Sequence, residues 1–185
     1  MKRISKTLTG IFAVILLSAV QVWANPLDFK NAVGVFAMSN SATSVYGLQY
    51  QSWCTDRIGF QIEGAAYYDS ASGAYKPLDY NIAAEFQYRL YDTTWGTRTG
   101  TSLYAWLLAG HRGFIQNSYS WSDETESSEK TDSLYYADVI AGIGFGFDIM
   151  FVNHLSIPVQ FGFMGQFPTE SAIGFSFGTG LRYRF

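Results

Sequence analysis

The chain has 185 residues, 48% hydrophobic and 18% aromatic, and only 15% are charged, against about 25% in ordinary soluble domains. Too few charges are present to cover a water-soluble surface, while a mean hydropathy of +0.04 excludes a bundle of membrane helices, each of which needs about 20 consecutive apolar residues. A content of 13 Tyr, 15 Phe and 5 Trp excludes a disordered chain, which lacks such bulk.

At the N-terminus, Lys2, Arg3 and Lys6 precede an apolar run from Ile11 to Val20, and Val22-Trp23-Ala24 puts small residues where a signal peptidase reads. This predicts an export signal cut between Ala24 and Asn25, with residues 25–185 as one domain. The run is too short to span a membrane and is followed by Pro26 and Asp28. The only cysteine, Cys54, is far from the cut, which excludes lipoprotein processing, and alone it forms no internal disulfide. Without Lys2, Arg3 and Lys6, nine of the 12 Lys/Arg remain against all 15 Asp/Glu, a net charge of −6. No basic patch for nucleic acid is available.

Beyond Asn25 the apolar period is two. Strands are predicted at about 31–38, 44–53, 57–68, 80–91, 101–113, 134–148, 155–164 and 172–185. The facing of the first is ambiguous. In the second, Tyr46, Leu48 and Tyr50 share a face, and in the third Ile58, Phe60 and Ile62 do. The fourth sets Ile82, Ala84, Phe86, Tyr88 and Leu90 against Asn81, Glu85, Gln87 and Arg89. The fifth is apolar on both faces, Tyr104/Trp106/Leu108 and Leu103/Ala105/Leu107. In the sixth, Gly142, Gly144 and Gly146 fall in phase with Asp138, leaving Val139, Ile143, Phe145 and Phe147 on the other side. The seventh carries Ile157, Val159, Phe161 and Phe163; the eighth, Ile173, Phe175, Phe177, Leu181, Tyr183 and Phe185. Short connections alternate with long ones, and Phe114–Ser133 reads as a long acidic loop of net charge −4.

The non-apolar face is mostly Gly, Ala, Ser and Gln rather than the Lys and Glu of a solvated sheet. Large apolar residues therefore point into lipid and small or polar ones fill the interior. A sheet in hydrocarbon must close, because each unpaired backbone group there costs several kcal/mol. The predicted fold is all-β: an eight-stranded antiparallel up-and-down transmembrane β-barrel. Ten residues at about 3.4 Å each, tilted about 40°, climb roughly 26 Å, the height of such barrels' apolar band. Tyr68 and Tyr80 at one end, and Tyr50, Tyr88, Tyr183 and Phe185 at the other, suit interfacial belts.

On these residues, and above all on the terminal Gly180-Leu181-Arg182-Tyr183-Arg184-Phe185, the chain resembles the small eight-stranded outer-membrane proteins of diderm bacteria, the OmpA-barrel, OmpX and OmpW-like group. The resemblance implies the cell outer membrane, contact with its lipid, and Leu181, Tyr183 and Phe185 as the signal read by the barrel-assembly machinery.

An eight-stranded barrel is just wide enough for side chains to fill. Glu63, Glu85, Asp138 and Asp148, balanced by Arg89, Arg182 and Arg184, are expected to form a polar network in the lumen. A hairpin centred near Gly73 and Ala74 would set Glu63 opposite Glu85, a pairing that suits acid/base chemistry but is read first as two buried charges sharing an arginine across the lumen. His154-Leu155-Ser156 is similar to the His-x-Ser of outer-membrane lipid A deacylases, which makes a lipid A-modifying hydrolase the lesser functional alternative. The residues after it depart from that family, and a periplasmic turn is expected to hold His154 as a solvated side chain. No HxxE, CxxC, GxGxxG or P-loop pattern occurs, so no metal, cofactor or catalytic residue is expected. Function is expected in the acidic loop, where Tyr119, Trp121, Asp123, Glu124 and Glu126 are candidate contacts for an extracellular ligand or host molecule in adhesion or surface interaction, with a purely structural role in the envelope beside it. The alternative is an OmpW-like channel for small hydrophobic solutes, suggested by the Gly-rich inward strands and Pro158.

Overall fold

A computed structural model describes residues 26–40, 44–68, 78–122, 127–168 and 172–185. The export segment with its Ala24/Asn25 junction lies outside them, as do Asp123, Glu124 and Glu126. Eight strands, β1 (Asn31–Asn40), β2 (Ser44–Trp53), β3 (Ile58–Tyr68), β4 (Leu78–Trp95), β5 (Thr99–Ser122), β6 (Ser127–Phe151), β7 (Leu155–Phe167) and β8 (Ala172–Arg184), pair in sequence order. β1 closes on β8 through Val35↔Leu181 and its neighbours, and Asn31 and Phe185 exchange backbone hydrogen bonds of 3.1 and 2.8 Å.

The period of two puts alternate side chains in different solvents. Leu48 is 70% exposed and Ile173 71%, whereas Gln51 and Arg184, on the other face, are 0% exposed. The two ambiguous strands resolve the same way: β1 turns Ala32, Phe36 and Met38 inward and Val33 and Val35 outward, and β5 turns Tyr104, Trp106 and Leu108 inward and Leu107 outward. The outward rows form an apolar belt around the closed sheet, the arrangement of a barrel immersed in lipid.

One end carries the short turns 54–57, 96–98 and 152–154. In the last of these, Val152 (φ 53°) and Asn153 (φ 63°) are left-handed, and the valine sits there at a cost of about 1–2 kcal/mol. The other end differs from the sequence expectation. Phe114–Ser133 is not a loop: β5 and β6 stay paired from Phe114↔Tyr136 to Ser122↔Ser127, with one register shift near Ser118. Backbone pairing thus continues beyond the alternating apolar rows of the belt.

The β3–β4 register also departs from expectation. Glu63 faces Ala83, and Glu85 faces Gln61, a two-residue offset that sets the carboxylates diagonally.

Two ladders are incomplete. β7 and β8 pair at Ser156↔Arg182 and resume at Val159↔Thr179, because Pro158 has no N–H to give; the Thr179 hydroxyl donates instead to the Pro158 carbonyl at 3.0 Å. β2 and β3 pair only from Leu48↔Gly64 to Trp53↔Gly59, so among the described residues Ser44–Gly47 and Ala65–Tyr68 are not joined to each other.

Candidate functional site

Among the described residues, the lumen is where charged residues gather out of water, and its short-turn half is built on β8. Arg182 and Arg184 alternate with the outward Leu181, Tyr183 and Phe185, so both guanidinium groups enter the lumen, 1% and 0% exposed. Both meet one carboxylate: Arg184 Nη1 lies 2.8 Å and Arg182 Nη1 3.4 Å from Asp148 Oδ2. Two cations on one anion leave charge to be solvated, and neutral oxygens do this. Arg182 donates to Gln49 Oε1 at 3.0 and 2.9 Å and to Gln61 Oε1, and Arg184 donates to the Phe29 carbonyl at 2.8 Å.

From Gln61 the chain of amides continues. Gln87 Nε2 donates to Gln61 Oε1 at 3.2 Å and also to Glu85 Oε1, Gln51 Nε2 donates to Gln87 at 2.7 Å, and Gln160 Nε2 bridges both Glu85 oxygens at 2.8 and 3.0 Å. Glu63 accepts from Gln61 at 3.3 Å. The expectation that the two glutamates share an arginine is therefore corrected: glutamine amides satisfy them, and Arg182 is one side chain removed.

Arg89 enters the lumen at the short-turn end of β4, the side its strand's alternation predicts. It is buried at the short-turn rim, with its guanidinium 4.0 Å above the Trp53 ring and Nη1 3.4 Å from Asp92. Asp138 lies at the ribbon end, where Gln166 bridges it (2.7 Å) to Arg112 (3.1 Å). The sequence reading missed Arg112 and every glutamine. Arg112 is in phase with Tyr104, Trp106 and Leu108 and pairs across the ladder with Asp138, a signal that could be read once the facing of β5 was fixed.

Between these polar layers lies an apolar one. Phe36, Met38, Trp106, Leu108, Ile140 and Met164 pack together across the lumen. The inward glycines of β6 and β7 are the seats for its rings. A Cβ on Gly144 would lie 2.6 Å from Trp106, one on Gly162 2.8 Å, and one on Gly146 2.5 Å from the Tyr104 ring. The glycine repeat thus makes room for aromatic side chains that fill the barrel. A cavity of about 20 Å³ beside Glu63, Asn81, Arg112 and Met164 has room for about one water.

His154 is buried, contrary to the solvated position expected for a turn. Its Nδ1 donates to the Arg184 carbonyl at 2.8 Å, and its ring lies 4.4 Å from Phe29 and 5.4 Å from Tyr183, stacked on the latter. Ser156 is buried on the next inward position, and neither its Oγ nor His154 Nε2 meets a protein hydrogen-bond partner. The two therefore do not form the hydrogen-bonded base and nucleophile that acyl transfer requires. Of the candidate ribbon contacts, Tyr119 and Trp121 pair in the ladder with Lys130 and Ser128.

No protein-family model and no curated protein matches the sequence. Solved structures do. The N-terminal β-barrel domain of OprF from Pseudomonas aeruginosa aligns with a TM-score of 0.58 at 17% identity, over 84% of this chain and 97% of that one. Outer membrane protein H (OprH) from P. aeruginosa, determined in DHPC micelles, aligns with a TM-score of 0.56 at 13% identity, over 84% and 99%. In strand number, order and closure, the chain is built as the small eight-stranded β-barrels of bacterial outer membranes are.

Proposed function

We propose that this outer-membrane barrel is a surface-interaction protein, in which the packed barrel is an anchor and the β5–β6 ribbon is the working part. The observation that carries the reading is the ladder continuing to Ser122↔Ser127. At about 3.3 Å per residue, the stretch from Phe114 to Ser122 lengthens the ribbon by up to roughly 26 Å, and residues 114–133 bring a net charge of −4 with them. Long, structured connections on a rigid scaffold are where binding residues concentrate. A filled lumen supports the same division of labour, since it leaves the interior no route for solutes. The export signal ending at Ala24, and the outward row Leu181, Tyr183 and Phe185 as the mark read by the barrel-assembly machinery, complete the proposal.

Deleting Gln116–Asp132 is expected to leave the barrel folded, with unchanged heat-dependent electrophoretic migration. Adherence of cells displaying the protein to epithelial monolayers and to immobilised extracellular-matrix proteins should fall to the level of cells lacking it. Adherence that survives the deletion refutes the reading.

A second reading, uptake of small hydrophobic molecules, is favoured by the incomplete β2–β3 ladder. Beside it is an apolar notch of about 710 Å³ in the outer wall, lined by Tyr46, Leu48, Gly64, Ala66, Tyr80 and Ile82. At Gly64 a side chain would meet nothing within 4 Å. Gly64→Phe should therefore fold normally and block the notch. If this route operates, the variant will slow accumulation of a hydrophobic fluorescent probe in cells or liposomes; equal rates dismiss it.

A further inference from the structure

At the short-turn rim, β3 ends before β4 does. Their last pair is Ile58↔Tyr88, closed by the Arg89 amide donating to the Arg57 carbonyl at 2.7 Å. β4 runs on to Trp95 as the partner of β5 alone, with a register shift between Arg89 and Tyr91. The mismatch in length leaves a notch of about 300 Å³ lined by Asp56, Arg57, Arg89, Leu90, Tyr91 and Asp92.

Its floor is an arginine that the rest of the fold does not fully use. Arg89 is 94% buried by the 6% exposure of its side chain and backbone together, yet its Nε has no hydrogen-bond partner. Its contact with Asp92 is long, at 3.4 Å, and its other face is taken by Trp53. Burying a guanidinium N–H without an acceptor costs free energy, so the protein compensates the Arg89 cation only in part. Arg57 stands exposed on the wall, and Lys30 is held 3.7 Å from Asp56. Lys30, Arg57 and Arg89 against Asp56 and Asp92 leave one positive charge unmatched, the charge that a single phosphodiester carries. Leu90 and Tyr91 are 44% and 62% exposed beside the notch, so its apolar lip is continuous with the lipid-facing belt.

We propose that this notch binds the phosphodiester headgroup of a glycerophospholipid from the membrane leaflet at the short-turn end. Arg57 and Arg89 donate to the phosphate oxygens, and the acyl chains lie over Leu90 and Tyr91. Guanidinium groups suit this role because their planar N–H pairs match phosphate geometry and are weakly hydrated. A free phosphate would use the arginines and leave the apolar lip idle.

The test is native mass spectrometry of the folded chain released from neutral detergent, offered dioleoylphosphatidylglycerol, dioleoylglycerol or inorganic phosphate. One phosphatidylglycerol per barrel should be retained, and no dioleoylglycerol. Arg57→Gln, on an exposed side chain, should fold as the parent does and lose about tenfold in occupancy, as expected for one charged hydrogen-bonding partner, while Arg57→Lys recovers part of it. Equal retention of the two lipids, or an Arg57→Gln barrel as well occupied as the parent, overturns the proposal. Competition by millimolar inorganic phosphate as effective as by the lipid would assign the notch to free phosphate and overturn the lipid assignment. The outcome is independent of what the β5–β6 ribbon binds.

Discussion

Asp148→Asn is expected to destabilise the barrel by about 3–5 kcal/mol, the cost of leaving buried charge without its counterion. One carboxylate oxygen holds both Arg182 and Arg184, and all three side chains are 0% exposed. The substitution keeps the shape and removes only the charge, so two guanidinium groups would then face each other with amides and a backbone carbonyl as their only acceptors. The measurement is urea-induced unfolding in lipid vesicles, followed by the migration difference between folded and unfolded forms. Asp92→Asn is the internal comparison. Its carboxylate is 41% exposed and meets Arg89 at 3.4 Å, so water replaces the lost partner and the cost should stay under about 1 kcal/mol. If the two variants unfold alike, the lumen ions do not hold the fold.

Gly146→Ala should cost about 1–3 kcal/mol, as overpacking of a filled interior does. The added methyl would lie 2.5 to 2.7 Å from two ring carbons and the hydroxyl oxygen of Tyr104. The obstruction is one side chain, and that makes the prediction sharp: in a Tyr104→Ala background the ring is gone and Gly146→Ala should be nearly neutral, within about 0.5 kcal/mol. Such non-additivity is the signature of direct contact. If Gly146→Ala costs the same in both backgrounds, the glycine serves its own backbone rather than Tyr104.

How much of this could be read from the residues follows from where two solvents meet. β4 and β8 carry polar side chains inward and aromatic or aliphatic ones outward, Glu85, Gln87 and Arg89 against Phe86, Tyr88 and Leu90, so their facing is legible from alternation alone. β1 and β5 resist the same reading because their inward rows, Phe36 and Met38, Trp106 and Leu108, are themselves apolar; they fill a layer of the lumen that is packed like a protein core. Ambiguity there was itself information about the interior. Register was out of reach, since the residues between Tyr68 and Leu78 admit several centres and each shift of one residue in the centre moves every pairing by two. For that reason the list of inward charges could be written from the sequence, whereas the partners could not. Gln61 and Gln87, ordinary polar residues in a pattern, became the contacts of Arg182 and Glu85 only through cross-strand placement. His154 misled for a similar reason: its burial depends on Phe29 and Tyr183, brought to it from the two ends of the sheet.

The seam between β1 and β8 gives the lumen cluster a kinetic meaning. Arg182 reaches Gln49 across 133 residues of sequence and Gln61 across 121, and these contacts exist only when the last strand has met the first. A sheet still open would hold both arginines of β8 with no such acceptors, at membrane depth, so partly closed forms gain little of the final energy. Closure is thereby late and cooperative, as contacts of such sequence separation require. The same cluster acts as a latch against the reverse step: to begin opening at this seam, the barrel must first pull Arg182 from Gln49 and Gln61 and Arg184 from the Phe29 carbonyl, which sets the lifetime of the folded state more than its depth.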